Sequence, residues 1–174
     1  MFTIPFFVLL AIVALFVLMF GAGIYKGYLK KKGMVNSYAI QNIKTGKGIR
    51  VHNAGIEDER RITLYTHHNW ECITWQFIEV EDNTFLLKNL YSQKSFQPSK
   101  APQEGVTLWQ QPLGGSLQFW EFIKQSDEAY LIRLKGTELY VTISAEENHS
   151  DIILMPLKNL TDQQWKLIPQ QPIA

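Results

Sequence analysis

Two patterns of apolar positions divide the chain. From Ile4 to Tyr25 no charged side chain occurs, and Phe6 to Phe20 is apolar without interruption. Beyond Ser37 the apolar residues come instead in short runs of aromatic and β-branched side chains, separated by polar stretches and lacking any sustained 3.6-residue period. Such runs predict strands. Twelve are expected: Tyr38 to Ile43, Ile49 to His52, Ile62 to Thr66 and Thr74 to Val80; then Phe85 to Leu90, Ser95 to Gln97, Val106 to Trp109 and Phe119 to Ile123; then Tyr130 to Leu134, Leu139 to Ile143, Ile152 to Met155 and Gln164 to Ile168.

The strands fall into register with a second periodicity. Trp75, Trp120 and Trp165 stand 45 residues apart, and each opens a similar quartet: Trp75-Gln76-Phe77-Ile78, Trp120-Glu121-Phe122-Ile123 and Trp165-Lys166-Leu167-Ile168. A repeat of this length usually marks one supersecondary unit that cannot bury its apolar face alone. The expected organisation is therefore a transmembrane helix over 1–25, a basic juxtamembrane linker over 26–36, and an all-β domain over 37–174. That domain is built of three four-strand repeats, 37–80, 81–125 and 126–170.

The helix expectation rests on length and charge. Twenty-two residues at about 1.5 Å rise span roughly 33 Å, close to the thickness of a bilayer's hydrocarbon core. A cleavable signal peptide, for which Gly21-Ala22-Gly23 offers small residues, would need basic side chains ahead of the apolar run, and none is there. Lys26, Lys30, Lys31 and Lys32 follow it instead. Lysine excess marks the cytoplasmic flank, so the expected topology is single-pass, with residues 4–25 in the lipid bilayer, the N-terminus outside and the β domain in the cytoplasm. Setting those four lysines aside from the 17 basic side chains leaves 13 against 16 acidic ones. A mildly acidic domain without a basic stripe argues against nucleic acid as a partner. Cys72 is the single cysteine and has no partner for an internal disulfide.

The repeats resemble the ricin B-chain type of β-trefoil over roughly 37–168. The third repeat carries the family's Gln-x-Trp element as Gln163-Gln164-Trp165, the second as Gln118-Phe119-Trp120, while Ile73-Thr74-Trp75 has lost the glutamine. The apolar-x-Leu-aromatic strand recurs as Ile62-Thr63-Leu64-Tyr65, Val106-Thr107-Leu108-Trp109 and, less well, Ile152-Ile153-Leu154-Met155. Gly136-Thr137-Glu138-Leu139-Tyr140-Val141 echoes the family's Gly-x-x-Leu-x-Val turn. The three tryptophans are expected to be core residues whose indole N–H needs an acceptor, and the motif glutamines to satisfy backbone groups in a turn.

The resemblance implies carbohydrate recognition at shallow sites, each needing a carboxylate for sugar hydroxyls, an aromatic ring for the sugar's apolar face, and an amide pair. Alignment of the repeats places Arg50, Gln97 and Tyr140 where the carboxylate would stand, and Tyr65, Trp109 and Met155 at the stacking position. The second repeat alone keeps both an aromatic and polar groups. Its candidate ligand-binding residues are Trp109, as the platform, with Gln97, Thr107 and Gln118.

Other chemistry has little support. His67 and His68 are adjacent and so point to opposite faces of an extended chain, with His52 and His149 far away in sequence, which predicts no metal site. No Gly-x-Ser-x-Gly elbow, phosphate-cradling glycine loop or His-Glu-x-x-His is present, so no catalytic residues and no cofactor are expected. Asn148-His149-Ser150 and Asn159-Leu160-Thr161 match the glycosylation acceptor pattern, which matters only outside the cytoplasm. Two functions follow as expectations: a non-catalytic, membrane-anchored glycan-binding module, or an accessory scaffold subunit of a larger membrane protein complex.

Overall fold

The computed structural model describes residues 35–158 and 161–172. The expected span 4–25 and most of the lysine-rich linker lie outside the described residues. Among those described, no helix is long and apolar enough to cross a membrane.

All twelve strands form where the apolar runs place them. They are β1 (Ser37–Asn42), β2 (Gly48–Val51), β3 (Ile62–Tyr65), β4 (Thr74–Glu81), β5 (Thr84–Asn89), β6 (Ser95–Pro98), β7 (Leu108–Gln111), β8 (Phe119–Lys124), β9 (Tyr130–Leu134), β10 (Leu139–Ile143), β11 (Ile152–Pro156) and β12 (Trp165–Pro169). Six of them close into a barrel through the antiparallel pairs β1–β4, β4–β5, β5–β8, β8–β9, β9–β12 and β12–β1. The other six pair as three hairpins, β2–β3, β6–β7 and β10–β11. Isolated bridges Arg61↔Trp109, Thr63↔Asp151 and Thr107↔Ile153 tie the hairpins to one another, so each lobe touches both others. A barrel capped by a triangle of hairpins is a β-trefoil.

The core repeats with the same three-fold rhythm. Leu64, Leu108 and Leu154 are fully buried, as are Trp75, Trp120 and Trp165. Excluding each such ring from water stabilises the fold by about 2 to 3 kcal/mol. Trp75 donates its indole N–H to the Ile49 carbonyl at 3.1 Å, and Trp165 donates to the Val141 carbonyl at 2.9 Å. Trp120 departs from the expectation. Its Nε1 is enclosed without an acceptor, and its ring lies instead against Phe96 with centroids 4.8 Å apart.

Candidate functional site

In the second lobe the expected residues do come together, in two layers. β6 and β7 pair with Gln97 opposite Trp109, which puts the amide beside the indole on one face of the hairpin. Behind them Gln118 is fully buried. Its Oε1 accepts from the Gly114 and Gly115 amides at 3.0 and 3.2 Å, while its Nε2 donates to the Pro112 carbonyl at 2.7 Å and to Gln97 Oε1 at 3.1 Å. The motif glutamine is thus a turn anchor, as expected, and no part of its amide is left to meet a ligand. A Cβ at Gly115 would stand 2.6 Å from Gln97 Oε1, so a side chain there would push the Gln97 amide aside.

The outer layer is Gln97, Trp109 and Thr107, all half-buried. Gln97 spends its carbonyl oxygen on Gln118, and its amide nitrogen has no partner among the described residues. Trp109 Nε1 is likewise without a partner. The Thr107 hydroxyl shares a 3.1 Å hydrogen bond with Ser99 Oγ. An aromatic ring flanked by an amide donor is a surface that can rest against an apolar face and donate to a hydroxyl.

The third lobe repeats the turn but not the platform. Gln163 accepts from the Lys158 amide at 2.7 Å and donates to the Pro156 carbonyl at 2.9 Å and Thr142 Oγ1 at 3.1 Å, while Met155 stands where the second lobe has Trp109. In the first lobe the alignment needs a correction. The residue paired with Tyr65 is Gly48, the counterpart of Gln97 and Tyr140, and Arg50 sits two positions farther along β2. The loops joining the two strands of the hairpins differ in length, so counting along the chain misjudges which residues face one another.

Arg50 nevertheless reaches Tyr65: its guanidinium carbon lies 3.5 Å from the ring centroid. The same ring is 5.2 Å from His149, 6.3 Å from His68 and 6.5 Å from Trp70. His68 stacks on Trp70 at 4.2 Å, and His52 meets His149 edge-on at 5.1 Å. His149 belongs to the third lobe. It arrives because its amide donates to the Leu64 carbonyl and the Leu64 amide to the Ser150 carbonyl, both at 2.8 Å, while Asn148 Oδ1 accepts from the Thr66 amide at 3.0 Å. Three of the four histidines thus crowd one aromatic face. The fourth, His67, turns the other way, toward Gln170 at 3.3 Å.

Burial shifts several titratable groups of the first lobe. Burial first, then electrostatic repulsion from Arg61, His149, Arg50 and Arg60, holds the His52 pKa below the usual histidine range. Burial, followed by His68 and Lys166, lowers that of His67. Cys72 is 7 % exposed, and burial pushes its thiol above the usual range. Among the described residues no group of three His, Cys, Asp or Glu side chains is placed to hold a metal ion. Sequence reasoning had not singled out Trp70. The available signal was that Trp70 is the one tryptophan of five outside both the 45-residue series and the stacking position.

Comparison with solved structures agrees with the trefoil. The chain superimposes on a designed three-fold symmetric protein, ThreeFoil, with a TM-score of 0.73 at 19 % identity, covering 76 % of this chain and 98 % of that one. The Rhizoctonia solani agglutinin gives 0.70 at 16 % identity, covering 78 % and 95 %. A Macrolepiota procera ricin B-like lectin, solved in complex with lactose, gives 0.63 at 18 % identity, covering 76 % and 94 %. No family model matches the chain, and no curated protein matches it. At these identities the likeness is one of fold: this is a β-trefoil of the architecture seen in ricin B-like lectins.

Proposed function

We propose that the chain is a non-catalytic carbohydrate-binding module tethered to a membrane, and that its second lobe supplies a sugar-binding face. The observation that carries the reading is the half-buried Trp109 indole beside Gln97, whose oxygen is fixed by Gln118 while its nitrogen has no partner among the described residues. Trp109 is the platform, Gln97 donates to a sugar hydroxyl, Thr107 borders the ring, and Gln118 acts from behind by holding Gln97. The trefoil likeness to an agglutinin and to a lectin bound to lactose supports the ligand class.

The tether is the uncharged stretch 4–25, and the lysines behind it favour a cytoplasmic trefoil. Immobilised neutral glycans, lactose included, test the binding reading with the full-length protein in mild detergent. Retention that falls at least about tenfold on Trp109→Ala supports it. Retention unchanged by that substitution removes the second-lobe site, and no retention of the unsubstituted protein on any neutral glycan overturns the reading. A C-terminal reporter active only in the cytoplasm decides the orientation.

A further inference from the structure

The first lobe holds a buried cation with no carboxylate partner among the described residues. Three of the four arginines are paired with carboxylates: Arg60 with Glu57 at 2.8 Å, Arg61 with Asp151 at 2.8 Å, and Arg133 with Glu121 and Glu138. Arg50 is the most buried of the four, at 6 % exposure. No carboxylate lies within ion-pair distance of it among the described residues, and its Nε is enclosed without a hydrogen-bond partner. Removing a charge from water without pairing it is costly, and a fold that keeps such a group leaves an electrostatic demand for an anion.

The surroundings state what kind of anion. Arg50 lies over the Tyr65 ring, and that ring borders His149 and Trp70. Trp70 is 45 % exposed and is braced from one side by His68. The acidic side chains Glu57 and Asp151 on the neighbouring segments are already held by Arg60 and Arg61. A planar guanidinium suits a carboxylate through two parallel hydrogen bonds, and an open, braced indole suits the apolar face of a pyranose. Inorganic anions would use the first feature and ignore the second.

We infer that the outer face of the first lobe binds an acidic saccharide, with Arg50 receiving its carboxylate and Trp70 carrying its ring. This site is distinct from the second-lobe face and goes beyond the function proposed from it. It also reverses the polarity of the carboxylate-based sugar site, since here the protein supplies the cation and the ligand the anion.

Calorimetric titration of the full-length protein with D-glucuronate, D-glucose and sodium sulfate tests it. The expected result is binding of glucuronate at least about tenfold tighter than of either glucose or sulfate. Trp70→Ala, an exposed substitution that leaves the fold intact, and Arg50→Gln should each weaken glucuronate binding about tenfold or more, whereas Trp109→Ala should leave it unchanged. Should Arg50→Gln fail to fold, Trp70→Ala and the ligand comparison still decide the matter. In the Trp109→Ala protein, where the second-lobe face is disabled, equal affinity for glucuronate and glucose, binding of sulfate as tight as of glucuronate, or indifference to a further Trp70→Ala would each overturn the proposal. Loss of neutral-glycan retention on Trp109→Ala tests the other lobe alone, so the two readings fail separately.

Discussion

The first and second lobes share four strands, a buried tryptophan and a buried leucine, but they differ in how their outer faces are filled. The second lobe fills its turn with glutamine: Gln118 saturates the backbone of 112–115 and hands one hydrogen bond to Gln97. In the first lobe that glutamine is Ile73, fully buried in an apolar patch with Ala39 and Cys72. Its turn is held instead by Asn89, whose Nδ2 donates to the Cys72 carbonyl at 3.1 Å, and by Thr74, whose hydroxyl donates to the Trp70 carbonyl at 2.8 Å. An apolar turn leaves the surface above it free of those turn hydrogen bonds, and a cation, two rings and three imidazoles occupy that surface. Ligand chemistry in a trefoil can therefore diverge lobe by lobe while the core keeps three-fold order.

Four experiments break or sharpen this contrast. The largest effect belongs to the tryptophans. Trp75→Ala should cost about 3 to 5 kcal/mol, and Trp120→Ala about 1 kcal/mol less, because only Trp75 loses an indole hydrogen bond in addition to its packing. Equal losses in urea unfolding would remove the difference between the two lobes' cores. Next, Gln118→Ala should cost about 2 to 3 kcal/mol by orphaning two amides and a carbonyl, and Ile73→Gln in the first lobe should not be tolerated as an equivalent, since its site is apolar. Gly115→Ala follows at about 1 to 2 kcal/mol, through the clash with Gln97 Oε1, and should also disturb any ligand bound beside Trp109. A thermal melt of each variant checks these two.

The smallest effect is one of pH and should arise in the first lobe, because the second has no histidine. His52 and His67 have folded pKa values below the ordinary one, so the unfolded chain binds protons more readily. Stability from these groups is present above about pH 6.5 and is lost as pH falls from there through the lowered folded values. The partial exposure of both imidazoles keeps the loss modest. Replacing both by glutamine should flatten the stability profile over that interval; a profile unchanged by the double substitution would place the acid sensitivity elsewhere.

The sequence made much of this legible because local pattern governs strands. Alternation and the 45-residue spacing located every strand to within a residue or two, and the Gln-x-Trp element announced both buried rings and turn anchors at Gln118 and Gln163. What stayed hidden depends on closure. His149 meets His52 only after the third hairpin docks on Leu64, a contact set by backbone pairing between lobes and not by either residue's neighbours in the chain. Gly48 faces Tyr65 because of loop length, which periodicity does not measure. Trp120 lost its acceptor although its motif is intact, so a motif predicts burial more securely than it predicts each hydrogen bond.

The solitary cysteine has a practical meaning. Cys72 is held in the apolar patch under the first lobe, with burial keeping its sulfur in the unreactive thiol form. Alkylating reagents can therefore label it only in molecules whose first lobe has opened. The rate at which a thiol probe is taken up then becomes a built-in clock for the opening of that lobe, readable in a crude preparation where spectroscopy of the whole protein would be obscured.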